Sequence, residues 1–94
     1  MKTLPGNLNL YSRSLDFNQD NVPAGILGRH TTAEGVWGKI KVTEGSLTYR
    51  ILEPGLEEHV LDVSRDGVVV PKAAHQIEIN GPVKFHIEFY RQAA

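Results

Sequence analysis

His75-Gln76-Ile77-Glu78-Ile79-Asn80-Gly81-Pro82-Val83-Lys84-Phe85-His86-Ile87-Glu88-Phe89 is the stretch whose reading decides the fold class. Apolar side chains recur at every second residue on both sides of Asn80-Gly81-Pro82, the period of a half-buried strand and not of a helix. One face carries His75, Ile77 and Ile79, then Val83, Phe85, Ile87 and Phe89; the other carries Gln76, Glu78, Lys84, His86 and Glu88. A three-residue loop at Asn80-Gly81-Pro82 predicts a hairpin that pairs Ile79 with Val83, Ile77 with Phe85 and His75 with Ile87, with Gly81 in a left-handed position. A two-residue turn would set Ile77 against Lys84, because a slip of one residue flips every side chain. In the favoured register Glu78 faces Lys84 as a cross-strand ion pair and Gln76 faces His86.

Working outward, the same alternation returns. Lys39, Lys41 and Thr43 alternate with Ile40 and Val42; after Glu44-Gly45, read as a hairpin, Leu47, Tyr49 and Ile51 alternate with Ser46, Thr48 and Arg50. Glu53-Pro54-Gly55 carries the residues of a type II turn. A strand from Glu58 to Val63 ends at Ser64-Arg65-Asp66-Gly67, and Val68-Val69-Val70 runs into a turn led by Pro71. Short strands with such punctuation predict an all-β sandwich or barrel. The reading is one domain over residues 1–94. Its first part, about 1–20, is an irregular arm or edge strand, and a barrel follows over about 22–91.

Composition narrows the function. A chain of 94 residues buries only about 60–65% of its unfolded surface, which favours a partner subunit. A net charge of -1 with mixed signs offers no basic field for nucleic acid. Cysteine is absent, so disulfides, thiolate metal sites and cysteine nucleophiles are excluded. The N-terminal residues lack the apolar core of a signal peptide, and no apolar run nears the roughly 20 residues of a membrane span. A cytoplasmic protein that engages no membrane is the expectation. No serine sits in a nucleophile elbow, and neither a phosphate loop nor a dinucleotide fingerprint occurs.

An ordered set of segments carries a family resemblance. It comprises Val22-Pro23-Ala24-Gly25-Ile26-Leu27, Arg29-His30, Gly35-Val36-Trp37-Gly38-Lys39-Ile40, Glu44-Gly45-Ser46-Leu47-Thr48-Tyr49-Arg50, Glu58-His59, Pro71 to His75 and Phe85-His86-Ile87-Glu88-Phe89-Tyr90. In these residues, which span nearly the whole chain, it resembles the small TehB-like cupin family associated with tellurite resistance. The resemblance implies an all-β double-stranded β-helix (a cupin jelly roll), often dimeric. In long members of the group such a domain precedes an S-adenosylmethionine-dependent methyltransferase domain. This sequence has no glycine loop for that cofactor, so methyltransferase activity is not expected of it.

Cupins often hold a divalent metal through His-x-His-x-x-x-Glu and a later histidine. Laid on this sequence, His30 matches the first histidine and His75 the last, while Thr32 and Val36 stand at the other two positions. Glu34, two residues early, is the candidate third ligand if the loop bulges. The resemblance thus implies one divalent transition metal (Fe, Mn, Ni, Cu or Zn) on His30, His75 and Glu34. The alternatives are metal-free ligand contact and purely structural histidines. Tyr49, on the inward face, is a candidate pocket hydroxyl or a core tyrosine with its hydroxyl satisfied at the rim. Trp37, on the face of Lys39 and Lys41, is the candidate interface residue, covered by a partner subunit or by the N-terminal arm. His86 and Glu88 read as a solvated or dimer-facing strand surface. The expected function is a small-molecule or metal-binding module with a two-histidine pocket, linked by resemblance to tellurite or a related oxyanion. A metal-dependent dioxygenase or isomerase and an interaction domain for a separate methyltransferase are the alternatives.

Overall fold

The computed structural model describes residues 1–92. Among the described residues the fold is all-β, with seven strands and one short helix: β1 (Leu8–Arg13), β2 (Phe17–Asn18), α1 (Ala24–Leu27), β3 (Trp37–Ile51), β4 (Glu57–Asp62), β5 (Gly67–Val69), β6 (His75–Glu78) and β7 (Val83–Gln92). Every pairing is antiparallel, in the order β1-β7-β3-β4, with β2 along β7 and with β5 and β6 also flanking β3. No helix among the described residues is long and apolar enough to cross a membrane.

β3 organises the molecule. The expected hairpin at Glu44-Gly45 does not form; the strand continues for 15 residues. Its first half lies between β7 and β5, and its second half between β4 and β6. The register against β7 shifts between Val42 and Glu44, and Gly45 has φ +75°. One extra residue in a strand is a bulge, which bends the strand and flips its alternation. Ile40 and Val42 before the bend, and Leu47, Tyr49 and Ile51 after it, therefore all point into one core. Only glycine fits the corner: a Cβ on Gly45 would overlap the Pro82 carbonyl oxygen.

The expected terminal hairpin is absent as well. β6 pairs with the second half of β3 (Tyr49 opposite Ile77, Ile51 opposite His75), whereas β7 pairs with the first half (Ile40 opposite Ile87, Val42 opposite Phe85). Both segments still face the same core, because Ile77, Val83, Phe85 and Ile87 are all buried. Alternation reports which side chains point inward; it does not name the neighbouring strand. The expected Glu78–Lys84 pair goes with the hairpin: Glu78 binds Arg50 at 2.6 Å, and Lys84 binds Glu44 at 3.1 Å. Gln76 lies opposite Arg50, and His86 opposite Lys41.

Two turns also differ from expectation. Gly81 is not left-handed, and Glu53–Pro54 is a cis peptide with Gly55 outside the positive-φ region. The geometry expected at Pro54 occurs at Pro71 instead. There the Ala73 N–H donates to the Val70 carbonyl at 3.3 Å, with Lys72 at φ 65° in the position where a type II turn requires a positive φ.

Candidate functional site

A cavity of about 410 Å³ opens between the strands, within the size range of small-molecule sites. Its walls are mainly apolar, with Phe17, Ile26, Val69, Ile77, Ile87 and Phe89 among them, and it contains both His30 and His75. The two histidines come from segments far apart in sequence. They form an isolated antiparallel bridge, the His30 N–H donating to the His75 carbonyl at 3.0 Å and the His75 N–H to the His30 carbonyl at 2.9 Å. Their rings meet edge-on with centroids 4.1 Å apart.

Each ring is oriented by the carbonyl two residues before it: His30 Nδ1 lies 2.8 Å from the Gly28 oxygen and His75 Nδ1 lies 2.9 Å from the Ala73 oxygen. A carbonyl only accepts, so each Nδ1 carries the proton, and in the neutral ring Nε2 presents a lone pair. His75 is buried, and burial lowers its pKa from 6.5, with the nearby charge of His30 adding to the effect against the bond to Ala73.

Glu34 is not brought to this pair. It is exposed, in a turn closed by the Val36 N–H on the Ala33 carbonyl at 3.1 Å. It lines a separate cavity with Pro5, Leu8, Trp37 and Arg91. At the two substituted motif positions, Thr32 and Val36 both line the histidine cavity, and the Thr32 hydroxyl donates to the Val36 carbonyl at 3.1 Å. Among the described residues no three His, Cys, Asp or Glu side chains converge. The pair by itself supplies two imidazole nitrogens and no carboxylate.

Tyr49 stands behind the cavity wall. Its ring packs 6.1 Å from that of His75, and its hydroxyl donates to the Val68 carbonyl at 3.0 Å. Burial, with the Glu57 charge second, pushes its pKa far above the ordinary tyrosine value. Trp37 is half-buried opposite Tyr90, beside Pro5 and Leu8 of the N-terminal segment. His86 is a correction: it is buried, not solvated. Its Nε2 lies 3.0 Å from Glu88 and its Nδ1 4.0 Å from Asp16 of the segment joining β1 to β2. The hydrogen bond to His86, before that from Tyr90, holds the Glu88 carboxyl below its ordinary range.

The sequence reading missed the contribution of the N-terminal segment to the cavity. Tyr11, Ser12, Ser14 and Phe17 all line it. The Ser14 N–H donates to the Ile87 carbonyl at 2.8 Å and the Ser14 hydroxyl accepts from the Ile87 N–H at 2.9 Å, which pins the segment to β7. The available signal was two aromatic residues, Tyr11 and Phe17, together with Leu8, Leu10 and Leu15 in a stretch also rich in Asn, Ser and Asp.

Comparison with known proteins agrees with this architecture. No curated protein matches the chain. Among solved structures, TehB from Haemophilus influenzae is similar with a TM-score of 0.84 and 26% identity, over 93% of this chain and 32% of that one. The chain therefore spans about a third of that protein's length. A protein from E. coli strain K12 is similar in fold, with a TM-score of 0.88 and 21% identity over the whole of both chains. The family model of the TehB-like domain matches residues 13–87. The chain belongs to the TehB-like family.

Proposed function

We propose that this chain is a small-molecule-binding module built as a cupin jelly roll, with the His30–His75 cavity as its ligand site. The observation that carries the reading is the shared orientation of the two rings. Each Nδ1 is tied to a backbone carbonyl, the device by which proteins fix a histidine whose other nitrogen serves a ligand. Apolar walls and a volume of about 410 Å³ support binding of a compact organic molecule. The family's name links this role to tellurite or related oxyanion stress, with the module sensing or carrying a small molecule.

The test is a fragment screen followed by nuclear magnetic resonance. Ligands should perturb Ile87, Phe89 and both histidines, and binding should weaken in His30→Asn and His75→Asn. Hits that perturb only other surfaces would sink the proposal.

Assembly as a homodimer is a second element of the reading, supported by a row of apolar side chains. Leu10, Tyr90 and Trp37 stand side by side across β1, β7 and β3, and Leu10 is 53% exposed.

A further inference from the structure

The hydrogen-bonding inventory of the cavity selects a class of ligand. With both Nδ1 protons engaged by the Gly28 and Ala73 carbonyls, neutral His30 and His75 each offer a lone pair and no proton. The hydroxyl protons of Ser14 and Thr32 are engaged too, on the Leu15 carbonyl at 2.8 Å and the Val36 carbonyl at 3.1 Å. No lysine or arginine lines the cavity. The histidine wall of the site thus presents acceptors and the lining holds no fixed cation, while Tyr11, Ser12 and Thr31 place further hydroxyls elsewhere on it.

An oxyanion, the ligand the family resemblance suggests, fits this badly. Its oxygens would face two lone pairs, and its charge would enter an apolar cavity uncompensated. A donor-bearing ligand meets the opposite situation, because each proton finds an acceptor already oriented. The rings lie only 4.1 Å apart between centroids, so one small molecule can touch both.

We infer that the cavity takes an uncharged ligand with an apolar body and two adjacent hydrogen-bond donors, one for each Nε2, as in an aromatic or aliphatic 1,2-diol. This rests on the reading of the cavity as the ligand site. The pocket then discriminates by donors: an analogue with the same body and blocked hydroxyls leaves two buried lone pairs unpaired, and an anionic analogue adds repulsion.

The experiment titrates the intact chain with three probes of similar size, catechol, 1,2-dimethoxybenzene and benzoate, about one pH unit above the ordinary histidine value. The readouts are the dissociation constant and the imidazole ¹⁵N shifts. Catechol should bind about tenfold or more tighter than either other probe, a step of one decade in affinity. The Nε2 resonances of His30 and His75 should move in the direction of an accepted hydrogen bond. His30→Asn and His75→Asn keep a donor for the Gly28 or Ala73 carbonyl but lack Nε2, and each should erase the preference for catechol.

Equal binding of catechol and 1,2-dimethoxybenzene in the cavity would overturn the donor rule while leaving the ligand site standing. Tightest binding of benzoate would overturn it in favour of an anion site. If no probe moves a cavity resonance up to its solubility limit, the ligand-site reading falls and this inference with it. The three-probe comparison uses the unmodified chain, so it decides the question even where a variant fails to fold.

Discussion

His30 and His75 hold each other's backbone through two hydrogen bonds, of 3.0 and 2.9 Å, and their rings meet edge-on 4.1 Å apart. A lone buried histidine can rotate to suit its surroundings. Here the backbone bridge fixes both origins, and the Gly28 and Ala73 carbonyls fix both rings. The pair is a rigid fixture at the wall of an apolar cavity, and the following outcomes are expected from this geometry and from the strands that carry it.

The first concerns pH. His75 has a folded-state pKa below 6.5, lowered chiefly by burial, so as the pH falls the unfolded chain takes up that proton first. The stability associated with neutral His75 is complete above 6.5 and is lost as the pH falls through the lowered value. Thermal melts should therefore show Tm dropping below neutrality, with a shallower slope in His75→Asn. Glu88, held low by His86, is also depressed and adds its own loss further toward acid. An unchanged slope in His75→Asn would remove His75 as the cause.

Gly45 marks the bend of β3. Gly45→Ala drives a Cβ into the Pro82 carbonyl oxygen at φ +75°, and should cost about 3 kcal/mol or more by chemical denaturation. Gly55→Ala, with nothing within 4 Å of the added carbon, serves as the control and should stay within about 0.5 kcal/mol.

Strand pairing can be read from charge couplings. A double-mutant cycle on Arg50 and Glu78, which meet at 2.6 Å, should give a favourable coupling that high salt weakens. The same cycle on Glu78 and Lys84, the pair the alternation suggested, should give none. A coupling in the second cycle would restore the hairpin and contradict the observed topology.

Tyr49→Phe removes the hydroxyl that donates to the Val68 carbonyl and should lower stability by about 1 kcal/mol. Ligand affinity should be unaltered, since Tyr49 stands behind the wall and not on it. A loss of binding with stability preserved would return Tyr49 to the pocket.

Trp37→Ala tests the proposed dimer. Sedimentation should show a shift from dimer toward monomer at equal concentration. A chain that is dimeric and stays so in the variant would exclude the row of Leu10, Tyr90 and Trp37 as the contact.

Much of the fold was legible because alternation in a strand depends only on which side chains leave water. Ile40, Val42, Leu47, Tyr49, Ile51, Ile77, Val83, Phe85 and Ile87 all read as inward-facing and are all buried. Tyr49 read as inward-facing, either a pocket hydroxyl or a core tyrosine; it is buried, and its hydroxyl donates to the Val68 carbonyl. His75 was placed inward by the same parity, and the structure buries it.

What alternation could not supply was the neighbour of each strand. Burial is satisfied equally by a partner beside a strand and by a sheet facing it, so β6 and β7 read as a hairpin while pairing with opposite halves of β3. The same limit governed the site. Spacing alone put Glu34 near the histidines, whereas the turn at Ala33–Val36 carries it to another cavity. By itself the sequence determined the all-β class, the inward faces and the two histidines. Only the tertiary structure decided that those histidines bridge each other, that the segment of Ser14 and Phe17 walls their cavity, and that both Nδ1 protons are engaged. Inward placement is a local consequence of side-chain polarity; each of the others depends on contacts between residues far apart along the chain.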